Sequence, residues 1–150
     1  VIFSPLHQSH YIGAFNMFKD SPVFGHGPKT FRVLCSDLRF NYDKNTCSSH
    51  PHNTYLQLLA ETGIVGLSFI VTLIVILFRD FIRIFNNRFN ESEQYLRDFQ
   101  LCLFACFIIT LWPIAPNQSF FNNWISIVYY LPVGFYLYHR EIIFKKCQQV

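Results

Sequence analysis

The densest run of chemistry-bearing residues in the chain is HPHNTYLQLLAETGIVGL, residues 50–67. Pro51 marks the end of a loop and Asn53 or Thr54 can cap the helix that follows, so His52 sits at the helix mouth. Helical spacing places Asn53, Gln57 and Glu61 at i, i+4 and i+8, a polar stripe running into an otherwise apolar segment. Glu61 lies about 8 Å along the helix from Leu56, and an ionisable group near the edge of an apolar span is a functional candidate by default. Gly63 and Gly66, beside Ala60, would let a neighbouring helix approach closely. Upstream, FGHGPKTFR (residues 24–32) sets the turn-formers Gly25, Gly27 and Pro28 directly before Lys29 and Arg32. Such a turn either offers backbone N–H groups and cations to a phosphate or is a plain turn with solvated basic side chains. Cys35 and Cys47 suit a disulfide in an oxidising compartment. Together with His50 and His52 they are also zinc-type ligands, although their spacing matches no standard site. Cys102 and Cys106, four apart in an apolar segment, read as small apolar residues.

The elements that must carry these residues follow from composition. Hydrophobic residues make up 51% and charged residues 14% of the 150-residue chain, well below the roughly 25% charged of soluble domains. That balance points to a membrane protein, and an aromatic content of 19% excludes disorder as the main state. A net charge of +3 with scattered Lys and Arg gives no support for nucleic-acid binding. The chain opens on Val-Ile-Phe without a charged-then-apolar leader, which suggests an internal start and a C-terminal portion of something longer.

Position sharpens the picture. Residues 56–78 carry one charge, Glu61, and as a helix would rise about 34 Å, enough for a bilayer core of about 30 Å. Residues 99–139 carry no charge and are broken at 112–118 and again at Asn122-Asn123, as expected for two spans and a polar hairpin. The sequence therefore predicts an all-α polytopic membrane protein with about three transmembrane helices, near 56–78, 97–115 and 121–139. An extracytoplasmic loop over 1–55 precedes them, with an inner loop at 79–96 and an inner tail at 140–150. The Lys and Arg of the 79–98 region and of the tail put those segments inside and the uncharged 116–123 hairpin outside. Trp112 and Trp124 flank that hairpin as interfacial anchors or packed core. Within the outer loop, Tyr11, Phe15 and Phe18 at i, i+4 and i+7 predict an amphipathic helix, capped by Ser9 and ended by Asp20-Ser21-Pro22.

Two of these patterns together resemble a known family. His52-Asn53, nine residues, then Gly63-Ile64-Val65-Gly66 is similar to the H-N-x9-G-x-x-G signature of the O-antigen ligase and O-antigen polymerase family of bacterial envelope glycosyltransferases. Gly25, Gly27 and Phe31 resemble its G-x-G-x-x-x-F element, placed after an amphipathic helix. The resemblance covers about residues 7–67. It implies an inner-membrane, multi-pass enzyme with its catalytic loop on the periplasmic face. The enzyme takes a glycan from a polyprenyl pyrophosphate carrier and joins it to an acceptor, either a lipid A core or another carrier-linked glycan.

By position, His52 would be the general base on the acceptor hydroxyl, a role that suits a neutral imidazole and not a Lys or Arg. Asn53 would orient His52 or a sugar hydroxyl. Arg32, Lys29 and, behind them, Arg39 are the cations for the departing pyrophosphate, with no metal and no cofactor. Family members often carry an Arg about four residues before an aromatic at the start of the amphipathic helix. Here counting back from Tyr11 gives His7, with His10 nearby. Two other classes compete: a membrane transporter or assembly subunit with the Asn53, Gln57, Glu61 stripe lining a pathway, and a metal-dependent hydrolase using His50, His52 and the outer cysteines.

Overall fold

The structure, a computed structural model, describes residues 4–86, 94–114 and 116–147. Among them all regular structure is helical: α1 (Pro5–Asp20), α2 (Phe31–Leu34), α3 (Thr54–Asn86), α4 (Gln94–Thr110) and α5 (Asn123–Cys147). The chain divides into two compact units. One holds the residues up to Val71 together with Pro113–Ser126, and the other holds Thr72–Trp112 with Ile127–Val150.

In the first unit α1 begins at Pro5 under a Ser4 cap, whose side chain accepts the His7 N–H at 3.4 Å. The predicted Ser9 cap is a correction. Ser9 lies inside the helix, and its hydroxyl donates to the Pro5 carbonyl and to Asp43 at 2.8 Å. The buried face also differs from the predicted Tyr11, Phe15, Phe18 stripe. Ser9, His10, Gly13, Ala14 and Met17 are buried, whereas Phe15 is exposed under the Lys19 ammonium. The reason is steric: a Cβ at Gly13 would run into the Thr46 methyl, so the loop packs directly on the small-residue face. Ala14, Met17, Phe31, Cys35, Phe40 and Ala60 form the core of this unit, where area burial supplies the main stabilisation.

Among the described residues α3 is the one helix long and apolar enough to cross a membrane, and only 17% of its most apolar window is buried. Ile64, Phe69, Val75 and Phe78 stand exposed along it, an apolar surface that suits contact with lipid. α4 has 17 residues and rises about 26 Å, the lower limit for a helix that crosses a bilayer. α5 has 25 residues with Pro132 inside.

The second unit packs around Leu77, Ile84, Leu103, Phe104, Phe107 and Tyr136. Helix α3 continues to Asn86 and α5 to Cys147, so Arg79, Asp80, Arg83 and Arg140 are helical, not part of a loop or tail. Buried Asp80 accepts from the Tyr136 hydroxyl and, at 2.6 Å, from Arg140 Nε. This pairing across α3 and α5 is what draws those charges into helix, since a buried carboxylate needs a partner.

Candidate functional site

The site is built on a break in α3. Gly63 has φ +64° and ψ −162°, so the helical ladder stops there and leaves backbone groups on both sides without helical partners. The turn at 22–27 takes them up. His26 and Gly27 N–H donate to the Ala60 and Glu61 carbonyls at 3.1 and 2.8 Å. Ile64 and Val65 N–H donate to the Pro22 and Val23 carbonyls at 2.9 and 3.2 Å. The approach is backbone to backbone, for a Cβ at Gly25 would strike the Glu61–Thr62 peptide and one at Gly63 the Val23 carbonyl. Gly66 makes room for the Thr62 side chain, which folds back to the Leu58 carbonyl. Helix–helix packing, predicted for Gly63 and Gly66, is thus replaced by loop packing and by room for a side chain of the same helix.

The polar stripe fastens this joint. Glu61 is 1% exposed, and its two oxygens accept the Lys29 and Phe31 N–H groups at 2.9 and 3.0 Å and the Gln57 amide at 3.1 Å. Of the two readings of the 24–32 turn, its N–H groups at Lys29 and Phe31 are here taken up by Glu61, which fastens the turn to α3. Gln57 also donates to Ser119 Oγ at 3.1 Å and accepts the Phe120 N–H at 2.9 Å. Asn53 caps α3 through the Tyr55 and Leu56 N–H groups, both at 3.1 Å, and donates to the Pro113 carbonyl at 2.8 Å. Its amide thus ties the helix mouth to the 113–120 segment. Asn53, Gln57 and Glu61 are all buried within this unit.

Above the helix mouth four imidazoles converge. The His52 ring lies 5.6 Å from His7, 5.4 Å from His10 and 4.1 Å from His50, centroid to centroid. His50 Nε2 meets the Asn117 carbonyl at 3.2 Å and Nδ1 meets the Ser49 hydroxyl at 2.8 Å. A carbonyl only accepts, so His50 is the neutral Nε2–H tautomer with Nδ1 accepting from Ser49. His10 Nδ1 likewise donates to the Thr46 carbonyl at 3.1 Å. Asn117 returns its N–H to the His52 carbonyl at 2.9 Å, which supports His52 at φ 56°. Among the described residues the non-glycine positions with positive φ are Lys29 and His52, an unfavourable conformation of the kind that gathers at functional sites. Burial, and then repulsion from His50, His10 and His7, lowers the His52 pKa to about 4, so its ring is neutral at neutral pH. His50 is also lowered, chiefly by burial.

A cavity of about 320 Å³ opens at His50, and its lining also includes Lys29, Arg32, Gln118, Asn123 and Trp124. Two predicted cations thus share one hollow. Arg39 does not join them: it pairs with Asp37 at 2.9 Å and lies over the Phe40 ring, and it holds the Asp37 carboxyl below the usual range. Cys35 and Cys47 are joined as a disulfide, which takes two ligands from the zinc alternative. Among the described residues no metal-type group of three or more His, Cys, Asp or Glu is assembled.

A G-x-G turn thus meets a G-x-x-G helix break under a His-Asn helix mouth. Residues 8–71 match the family model for O-antigen ligase. The O-antigen ligase match takes in α1, the 22–27 turn, the disulfide, His52 and the break at Gly63, and it ends at Val71 within α3. The wall of the cavity formed by Gln118, Asn123 and Trp124 lies outside it. Comparison with curated proteins and with solved structures returns no significant match. Together with the apolar α3, the O-antigen ligase match marks a membrane protein.

Sequence reasoning paired His50 with His52 only as metal-type ligands, and it missed the hairpin residues that line the cavity. The signal for the hairpin was available, since Asn117-Gln118-Ser119 and Asn122-Asn123-Trp124 gather uncharged hydrogen-bonding side chains around an indole. The approach of the His7 and His10 rings to His52 left no such signal, because they come from a distant helix.

Proposed function

We propose that this chain forms the acceptor-activating part of a multi-pass glycosyltransferase of the bacterial inner membrane, with its outer loop in the periplasm. The donor is a glycan on a polyprenyl pyrophosphate carrier, and the acceptor is a sugar hydroxyl of a lipid A core or of another carrier-linked glycan. The acceptor hydroxyl gives its proton to His52, and its oxygen attacks the anomeric carbon. The bond from that carbon to the pyrophosphate oxygen breaks, and the pyrophosphate leaves with the electron pair. Lys29 and Arg32 stabilise the developing charge, which matters most in a partly dehydrated hollow. His7 and His10 keep His52 neutral and line the approach to it. Helices α4 and α5 serve as further spans beside α3.

The observation that carries this reading is a neutral His52 packed on His50, which itself lines a cavity bearing Lys29 and Arg32. It supplies a base and two cations. The test is His52→Ala in the protein that carries this segment in the cell envelope. Glycan transfer, read as glycan-bearing lipid on gels, is expected to vanish while membrane insertion persists. Retained transfer would remove His52 from the mechanism.

A further inference from the structure

We propose that the 113–126 segment supplies a pyranose-binding subsite, in which Trp124 stacks on the sugar attached directly to the pyrophosphate while Gln118 and Asn123 hydrogen-bond its hydroxyls. The inference rests on the reading of Lys29 and Arg32 as the pyrophosphate pair, and it adds which residues select the sugar. A sugar pyrophosphate has two chemically distinct halves, and the cavity lining carries groups suited to each. Lys29 and Arg32 suit the pyrophosphate, and no carboxylate lines the hollow to repel it. The same lining carries an indole that is 80% exposed, together with side-chain amides. A pyranose ring presents an apolar C–H face and a rim of hydroxyls, and an aromatic face edged by amide donors and acceptors complements both. Among the described residues the Gln118 and Asn123 side chains make no hydrogen bond inside the protein, so their donors and acceptors are available. The volume falls at the small end of the roughly 300–1,000 Å³ typical of ligand clefts.

One buried amide ties the two groups of lining residues together. Gln57 donates to Ser119 and accepts from Phe120 beside the amides and the indole, and it donates to Glu61, which in turn holds the Lys29 N–H. Asn122 caps α5 through its side-chain oxygen, which accepts the Trp124 backbone N–H at 3.1 Å, while its own N–H donates to the Ser119 carbonyl.

The experiment measures binding of two probes to the full chain in detergent micelles: citronellyl pyrophosphate, and the same pyrophosphate bearing N-acetylglucosamine. The chain should bind the sugar-bearing probe about tenfold more tightly, a difference near 1.4 kcal/mol. Trp124→Ala should bring the two affinities together without changing that of the bare pyrophosphate, and Trp124→Phe should keep part of the difference. Lys29→Ala should weaken both probes alike. Equal affinity for both probes in the unmodified chain, or an equal loss of both on Trp124→Ala, would overturn the subsite and leave the pyrophosphate pair standing. Failure of either probe to bind would overturn the pyrophosphate reading, and the subsite with it.

Discussion

His52 links local packing to chemistry through its proton. Its ordinary pKa near 6.5 falls to about 4 because the ring is partly buried and faces His50, His10 and His7. The folded chain therefore binds this proton less readily than the unfolded chain. By linkage, the contribution of the neutral ring to stability is complete above about pH 6.5 and is lost as pH falls toward about 4. A histidine NMR titration of the folded chain should show one imidazole with a midpoint near 4, assigned by its disappearance in His52→Gln. A midpoint near 6.5 would mean that the four rings do not meet. Transfer activity should likewise stay level from neutral pH to about 5, because the base remains unprotonated there. At this scale the sequence was informative about identity but not about surroundings. His52, Lys29 and Arg32 are recognisable by type and spacing, whereas the ring contacts join residues from α1 to a loop beyond the disulfide, and no local pattern encodes such a meeting.

At the scale of elements, the joint between the 22–27 turn and the break at Gly63 explains why glycine occupies both sides. Gly63→Ala asks a side-chain-bearing residue to hold φ +64°, at a cost of roughly 1–2 kcal/mol, and also drives its Cβ into the Val23 carbonyl. Gly63→Asn should fare no better, because the ease of asparagine at positive φ belongs to the left-handed helical region and not to ψ −162°, which is open essentially to glycine alone. Both variants should free the 22–27 turn, seen as rapid amide exchange at His26, Gly27, Ile64 and Val65. Slow exchange retained in both variants would show that the joint does not need glycine at position 63. The glycine spacings are visible in the sequence, but helical reasoning reads 56–78 as one continuous span and assigns the glycines to packing between helices. It has no means of seeing that a distant turn supplies the hydrogen bonds which make a break affordable. The same limit explains the misplaced face of α1, where large aromatics suggested burial but Gly13 and Ala14 received the loop.

For the whole molecule, segregation of charge along the sequence predicts which segments share a side of the membrane. Pro113–Ser126 packs in the same unit as the residues before Val71, joined through Asn53, Gln57, His50 and His52. The number of spans is less legible, because α4 is short and begins with Arg97 and Asp98 in its first turns, while α5 mixes apolar residues with tyrosines and ends in charge. Thiol labelling of intact cells tests the arrangement without assuming helix lengths. Cys35 and Cys47 are bonded and silent, so replacing Cys102 and Cys106 by serine leaves Cys147 as the reactive thiol. A membrane-impermeant maleimide should miss Cys147 until the membrane is permeabilised. In the further variant Cys147→Ser with Gln118→Cys, it should label position 118 directly, since Gln118 is exposed on the cavity wall. Reaction at Cys147 from outside would place the C-terminal end of α5 on the periplasmic side. The last helix would then run opposite to the direction that its Arg140, Lys145 and Lys146 favour.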